Sequence, residues 1–186
     1  MKQKTKIIYL IGRSGTGKYT IAKEIAKAGY KIADNQLMNN PIFELVGYDG
    51  FSNISQAAWE AIAKIRTAVL EFIAGDLENN YVLTNELLED EGDHQYYNQV
   101  KQIALKRNSL FVPVKLHISK EENVRRVTNL DRALRYKSLS IDENFNKPLI
   151  SVQDSNMLES EVSNLSAAAA SEQILEFVNQ LNLAQS

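Results

Sequence analysis

The sequence contains no cysteine, which excludes disulfide bonds, thiolate metal sites and cysteine nucleophiles. A long hydrophobic run is also missing. The apolar stretch 7–11 is too short for a signal-peptide core or a membrane span, and it ends in a glycine-rich turn. We therefore expect no membrane segment and a cytoplasmic location.

Charge of one sign is not in excess either. The chain has 21 basic and 23 acidic residues, a formal net charge of −2, so a general affinity for nucleic acid is not expected. The only basic stretch is 125–137. The two histidines, His94 and His117, show no metal-ligand spacing that joins them.

What is present is the composition of one folded domain, 1–186, with 44% hydrophobic and 24% charged residues. Short apolar runs bounded by turn residues alternate with segments of helical periodicity. Strands that alternate with helices predict an α/β fold with a parallel sheet and helices on both faces.

The patterns place each element along the chain. Strands are predicted at 6–11, 30–33, 81–84, 110–118 and 149–152. Helices are predicted at 18–28, 56–74, 91–107, from a capping box at Ser119 and Glu122 onward, and at about 166–181. Asn39, Asn40 and Pro41 predict a turn. Pro113 makes the first half of its strand an edge or an irregular start. In the helix 56–74, an apolar stripe ends at Phe72.

A glycine loop joins the first strand to the first helix. It matches the pattern G-x-x-x-x-G-K and consists of Gly12, Arg13, Ser14, Gly15, Thr16, Gly17 and Lys18. In such a loop, successive backbone amides and the helix N-terminus converge on phosphate oxygens, and the lysine adds a positive charge. The alternative without a phosphate-binding role is a glycine-rich turn in some other α/β protein.

Tyr19 departs from this pattern, because a serine or threonine that binds Mg²⁺ is standard there. A phenol oxygen lies too far from the backbone to take the same position. Thr20 carries a hydroxyl but lies one residue further on, about 100° around the helix. Three alternatives stay open: Mg²⁺ is held through water and carboxylates, Thr20 substitutes, or metal binding is weak.

The loop, together with the segments 34–43 and 84–87, resembles the P-loop small-molecule and nucleotide kinases. This class includes shikimate kinase, gluconate kinase, adenylate kinase and chloramphenicol phosphotransferase, and bacterial AAA-family ATPases of kinase type are similar. The resemblance implies a three-layer fold with five parallel strands in the order 2-3-1-4-5. It also implies an acceptor-binding segment at 35–80, a small lid at 130–148, ATP and Mg²⁺ as ligands, and a monomer or homodimer.

Further candidates follow the second and third strands, because ligands bind at the carboxyl ends of parallel strands. Asp34 is expected to orient the acceptor or to join the metal shell, and the alternative is a carboxylate that caps the next helix. Asn35, Asn85 and Arg66 are candidates for acceptor binding. For Arg66 the alternative is a solvated side chain at the edge of the apolar stripe.

The basic stretch supplies the remaining candidates. Arg132 follows Arg125 by seven residues, which resembles the arrangement in shikimate kinase, where the earlier arginine packs on adenine and the later one meets phosphate. Arg132 is thus a catalytic candidate, and Arg125 and Arg135 are nucleotide-binding candidates. Asn156 is a further candidate, because relatives wrap the adenine after the fifth strand. An ordinary helix surface is the alternative for the arginines.

Together these features predict an ATP-dependent phosphotransferase that acts on a small-molecule or nucleotide acceptor. Lys18, Asp34 and Arg132 are its expected catalytic residues. The alternative is a nucleotide-binding module without kinase turnover, which Tyr19 favours.

Overall fold

The computed structural model describes residues 4–50, 52–128 and 147–184. The strands are β1 (Lys6–Gly12), β2 (Tyr30–Asp34), β3 (Asn80–Asn85), β4 (Leu110–His117) and β5 (Leu158–Glu161). The helices are α1 (Lys18–Ala26), α2 (Asn35–Leu45), α3 (Gln56–Gly75), α4 (Glu91–Lys106), α5 (Lys120–Val127) and α6 (Ala167–Ala184). None of the helices in these described residues is long and apolar enough to span a membrane.

The five strands form one parallel sheet in the order β2-β3-β1-β4-β5, which confirms the predicted topology. β1 is the central strand, and its residues 7–11 are all buried. A strand that is covered on both faces must be apolar along its whole length, which explains the uninterrupted run of hydrophobic residues at the start of the sequence.

Helices cover both faces of the sheet, so the predicted three-layer arrangement is also confirmed. On one face, α1 and α6 pack through Ile25 and Ile174 against β1, β3 and β4. On the other face, α3 and α4 contribute Ile73 and Val100 to a second hydrophobic cluster with the same strands. The two clusters share the sheet as their common wall.

The turn predicted at residues 39–41 is wrong, because α2 runs through Pro41. Pro41 removes one backbone donor from the helix. The helix nevertheless persists, because Met38, Asn39 and Phe43 are buried on its inner side. Packing against the rest of the molecule therefore outweighs the local preference of the residues before proline.

The fifth strand is present, but its predicted position at 149–152 is wrong. Leu149 forms only an isolated antiparallel bridge with Leu88, and the amide of Ile150 donates to the Leu87 carbonyl at 3.0 Å. β5 lies further along the chain and pairs with β4 from Val114 onward. Ile150 is fully buried in the core with Leu87, whereas Leu149 is only half-buried.

β4 tolerates Pro113 for the reason that the sequence suggests. β1 pairs with β4 along its full length, whereas β5 begins only at Val114. The first half of β4 is therefore unpaired on the side that faces β5, where a missing backbone donor costs least.

The stripe on α3 does not lie wholly in the core. Ile62, Leu70 and Ile73 are buried, whereas the Phe72 side chain is 69% exposed. Successive helical residues point about 100° apart, so the core face that holds Ile73 leaves Phe72 at its margin. The expectation that this aromatic residue faces the core is wrong.

Candidate functional site

The glycine loop leaves β1 at Gly12 and enters α1 at Lys18. Gly15 and Gly17 have φ of +90° and +89°, in the left-handed region that favours glycine. The Thr16 amide donates to the Arg13 carbonyl at 3.2 Å, and the Thr16 hydroxyl donates to the same oxygen at 2.8 Å. The loop is therefore curled rather than flattened, as an anion-binding turn requires.

The first backbone bond of α1 runs from the Ile21 amide to the Gly17 carbonyl at 3.0 Å. The amides before Ile21 therefore point out of the helix end toward the loop. The Lys18 ammonium folds back over the loop and donates to the carbonyls of Gly12 and Arg13, the latter at 2.8 Å. The helix start and the lysine thus concentrate positive charge at one place.

A carboxylate already contacts this loop. Glu86, which follows β3, accepts a hydrogen bond from the Ser14 amide at 3.1 Å. The Arg13 guanidinium reaches the other way and donates to the Lys147 carbonyl. Arg13 and Ser14 therefore link the loop to the end of β3 and to the chain that precedes Pro148.

α5 supports the loop from the side. The Asn123 amide group, which is buried, donates to the Ser14 carbonyl at 2.6 Å. A Cβ atom at Gly15 would lie 2.7 Å from Asn123 Nδ2 and 2.8 Å from Val127 Cγ2. Gly15 is therefore required both for its backbone conformation and for the close approach of α5. Sequence reasoning missed Asn123, because its role depends on tertiary contact.

Arg126 is the arginine that lies at the loop. Its guanidinium donates to the Thr16 carbonyl at 3.4 Å, to the Val162 carbonyl at 3.1 Å and to the Ser163 carbonyl at 3.0 Å. Glu122 accepts from its Nε at 2.6 Å. The arginine thus joins the loop to the segment that follows β5.

Arg125 instead points outward. Its side chain is 74% exposed, and it donates to Glu122 at 2.6 and 2.7 Å. Two arginines in contact with one carboxylate lower the pKa of Glu122 to about 2. These hydrogen bonds of Arg125 do not reach the loop, and its role in nucleotide binding stays a prediction. Its neighbour Arg126 is the arginine that contacts the loop, because adjacent helical residues diverge by about 100°.

A cleft of about 250 Å³ opens beside Arg126. It is lined by Thr16, Gly17, Thr20, Ile21, Arg126, Val162, Leu165 and Ala167. One end of the cleft is formed by the glycine loop. The walls of the cleft combine apolar side chains with the guanidinium of Arg126. This composition suits a flat, partly apolar ring that is attached to an anionic chain.

Tyr19 and Thr20 lie at the start of α1, on different sides. Thr20 is exposed and lines the cleft, whereas the Tyr19 ring lies 5.5 Å from the Lys23 ammonium one turn further on. Within the described part of the chain, no three histidine or acidic side chains form a cluster that could hold a metal ion. A Mg²⁺ role for Thr20 stays a prediction.

Asp34 ends β2 and caps α2. One carboxylate oxygen accepts from the Gln36 amide at 3.3 Å, and the other accepts from the Thr84 hydroxyl. The side chain is buried at the carboxyl end of the sheet. The capping interpretation of Asp34 is therefore correct, and the same contacts fix the orientation of its carboxylate at the edge where ligands bind in parallel sheets.

Arg66 connects α3 to α2 and α4. It donates to the side-chain oxygens of Asn35 and Asn39, both at 3.1 Å, and its guanidinium carbon lies 5.5 Å from the centre of the Tyr96 ring. No carboxylate among the described residues lies within ion-pairing distance of it. Arg66 is therefore a fixed, half-buried cation held by neutral partners, rather than a solvated surface side chain.

The surroundings of Arg66 carry perturbed acids. Burial raises the pKa of Asp93, and the nearby Arg66 charge partly opposes this shift. Burial also raises the pKa of Tyr96, again with opposition from Arg66. Asn85 is buried at the end of β3, where its side-chain oxygen accepts from the Glu86 amide at 2.9 Å. The described side chains around Arg66 thus include amides, a phenol and a carboxyl group.

The remaining candidates lie elsewhere. Asn156 precedes β5, and its amide group donates to the carbonyl of Phe111, near the amino end of β4, at 3.0 Å. The prediction that it wraps the nucleotide is therefore inconsistent with its position, and the error follows from the misplaced fifth strand. Arg132, Arg135 and most of the predicted lid, 130–148, lie outside the described residues.

The parallel sheet in this order and the curled glycine loop before α1 define the fold of the P-loop small-molecule kinases. Solved structures of that class share it. A gluconokinase from Sinorhizobium meliloti matches with a TM-score of 0.59 and 14% identity, over 100% of this chain and 97% of that one.

Two further structures with named activities also match. The APS kinase of Mycobacterium tuberculosis has a TM-score of 0.58 and 12% identity, covering 95% of this chain and 98% of that chain. A shikimate kinase from Acinetobacter baumannii has a TM-score of 0.55 and 15% identity, covering 96% of this chain and 95% of that chain. At such low identity the likeness shows the fold alone. No protein-family model and no curated protein sequence matches the chain.

Proposed function

We propose that this protein is an ATP-dependent phosphotransferase that acts on a small-molecule or nucleotide acceptor. The observation that carries the proposal is the curled loop with Lys18 folded over it, which lies between a cleft at Arg126 and a polar cluster at Arg66. A phosphoryl transfer site needs an anion-binding loop with room for a donor on one side and an acceptor on the other. The names of three structural relatives, all kinases, support the same class.

ATP, which supplies the phosphoryl group when bound, suits the residues on the α5 side. The loop amides and Lys18 hold the phosphates. The cleft between Thr20, Arg126 and Leu165 takes the base, with the guanidinium stacked on or beside the ring. Val162 and Leu165 exclude water from the base. Arg126 and the segment after β5 thus replace Arg125 and Asn156 in the proposed nucleotide site.

Mg²⁺ is held without the usual hydroxyl in this proposal. Asp34 and Glu86, the carboxylates that follow β2 and β3, would bind it directly or through water. Glu86 would leave the Ser14 amide when phosphates arrive, because the two groups compete for the same donor. Thr20 stays an alternative ligand.

The acceptor binds on the α2 and α3 side. Arg66 attracts an anionic or strongly polar group, and Asn35 and Asn85 add neutral donors and acceptors. Asp34 orients the acceptor hydroxyl, because its carboxylate is fixed by Thr84 and Gln36. Arg132 and Arg135 would stabilise the charge on the transferring group, and these two roles rest on the sequence alone.

A second candidate is a nucleotide-binding module without turnover. Tyr19 favours it, because a phenol oxygen lies too far from the backbone to take the place of the usual metal-binding hydroxyl. Its ring lies next to the Lys23 ammonium. In that case ATP would stabilise the fold, and no acceptor would be phosphorylated.

Two measurements separate these candidates. Thermal unfolding with ATP, with and without Mg²⁺, reports nucleotide binding, and release of ADP with a panel of hydroxyl and phosphate acceptors reports turnover. Stabilisation by ATP with acceptor-dependent ADP release is expected. Stabilisation without ADP from any acceptor would favour the module, and no stabilisation at all would contradict both.

A further inference from the structure

α3 carries a second apolar face that turns away from the core. Ala61, Ile65, Ala68 and Phe72 follow one another at steps of four, three and four residues. Phe72 and Ala68 are exposed, and Ala61 and Ile65 are half-buried. This spacing is the a/d repeat of a helix that packs along another helix. The buried face of α3, with Ile62, Leu70 and Ile73, is already used by the core.

The exposed face continues into a groove beside the edge strand β2. The groove has a volume of about 640 Å³ and is lined mainly by apolar groups, among them Ala33, Leu37, Val69 and Phe72. Leu37 is 60% exposed and Phe72 is 69% exposed. Neighbouring large hydrophobic side chains in contact with water at a sheet edge mark an interaction surface more often than an ordinary monomer surface.

The face is complementary to itself in volume. In an antiparallel pair of α3 helices, each a position packs against a d position of the other helix. Aligned on a two-fold axis, Ile65 meets Ala68 of the second copy, and Phe72 meets Ala61 of the second copy. Each large side chain thus faces an alanine, an alternation that allows close packing between helices.

The flanking charges are complementary in the same alignment. Lys64 and Glu71 lie seven residues apart on one margin of the apolar face, and both are exposed. Neither forms an ion pair with any residue that the structure describes. The antiparallel two-fold arrangement places Lys64 opposite Glu71 of the second copy, twice by symmetry. A parallel pairing would not bring these two charges together.

We infer that this protein forms a symmetric homodimer through the outward face of α3, with the helices antiparallel and the groove beside β2 covered by the second copy. A closed two-fold contact uses the same patch on both subunits. The dimer does not depend on the proposed catalytic activity.

The test measures the mass of the full chain in solution across a concentration series, by sedimentation equilibrium or light scattering. The unmodified protein should be a dimer that dissociates on dilution. Phe72→Glu should raise the dissociation constant at least tenfold, because it places a charge against Ala61 of the second copy. Glu172→Lys, an exposed change on α6 at the opposite face of the sheet, should leave the dissociation constant unchanged.

A charge exchange identifies the antiparallel register. Lys64→Glu and Glu71→Lys, each made alone, should weaken the dimer, because each replaces two attractions with two repulsions. The double variant should restore it, since both pairs reappear with reversed sign, and the melting temperature of each single variant shows whether it still folds. A monomer at about 0.1 mM, a Phe72→Glu variant that stays dimeric, or a double variant no tighter than the single ones would overturn the inference.

Discussion

Lys18 donates to the carbonyls of Gly12 and Arg13, so its charge is placed at the mouth of the loop before any phosphate arrives. We expect Lys18→Ala to remove most of the ATP-dependent rise in melting temperature. At about 100 times Kd, ATP should contribute about 2.7 kcal/mol, which corresponds to a rise of about 5–10 °C for a domain of this size. Thermal unfolding with and without ATP measures the difference.

Lys27→Ala is the matched control, because Lys27 follows the far end of α1 and is 72% exposed. The control should keep the full response to ATP. An equal response in the Lys18→Ala protein would remove Lys18 from the nucleotide site.

Gly15 is needed both for its positive φ and for the close approach of α5, whereas Gly29 has the positive φ alone. Gly15 and Gly29 have nearly the same φ, +90° and +89°, but a Cβ atom would meet α5 at Gly15 and nothing within 4 Å at Gly29. We expect Gly29→Ala to cost about 1 kcal/mol of unfolding free energy from backbone strain. Gly15→Ala should cost about 2–4 kcal/mol, because Asn123 and Val127 must also move.

Urea unfolding of both variants measures these costs. Equal losses at the two positions would show that α5 does not press on the loop. A larger loss at Gly15, accompanied by weaker ATP binding, is expected, since the displaced contact of Asn123 with Ser14 also shapes the loop.

The loop could be predicted from the sequence because its signal is local. The loop lies directly between the first strand and the first helix. Its glycines allow the unusual backbone conformation, and its lysine supplies a positive charge. Asn123 and Glu86 could not be found in this way. Their hydrogen bonds to Ser14 span 109 and 72 residues of sequence, and no spacing rule connects such positions.

Helices and strands were predictable where their apolar pattern is long, and misplaced where it is short. The four residues of β5 alternate between half-buried and exposed, so they lack the apolar run that identifies a buried strand. The run at Leu149 and Ile150 belongs to no strand, and Ile150 is apolar because it is buried in the core. Because the fifth strand was predicted too early in the chain, Asn156 was included in the predicted site and Val162 was not.

α5 presents two adjacent arginines that differ in direction, and this difference is testable. Arg126 contacts the loop and the segment after β5, whereas the Arg125 guanidinium donates to Glu122 and points away from the loop. We expect Arg126→Ala to weaken ATP binding at least tenfold, because the cleft loses the cation at its wall. Arg125→Ala should change binding less than twofold. Calorimetric titration with ATP gives both values.

The reverse order of effects would restore Arg125 to the nucleotide site. Equal and large effects would point instead to a general disturbance of α5, which the melting temperatures of the nucleotide-free variants would reveal. The two substitutions remove the same side chain from neighbouring positions, so each serves as the control of the other.

In the proposed function, the nucleotide and the acceptor bind on opposite sides of the loop, at the carboxyl edge of the sheet. The α5 side contacts the loop at Ser14 and Thr16, and the α2–α3 side holds Arg66 with its two asparagines. Both sides meet at the carboxyl ends of the strands, where Asp34 and Asn85 are buried. A protein built in this way should lose acceptor use and nucleotide binding through different substitutions.

Arg66 provides the sharpest test of this division. Its guanidinium is fixed by Asn35, Asn39 and the Tyr96 ring, and hydrogen bonds to a charged group contribute about 1.5–3 kcal/mol. We expect Arg66→Ala to lower kcat/KM for the acceptor by about 10–100-fold, the factor to which such a loss corresponds. The rise in melting temperature with ATP alone should stay as large as in the unmodified protein, because the contacts of Arg66 with the described residues do not include the loop. Arg66→Lys should recover little activity, since a lysine cannot bond both asparagines in the same planar geometry. Loss of the ATP response in Arg66→Ala, with the fold intact, would mean that the two sides form one coupled site instead of two.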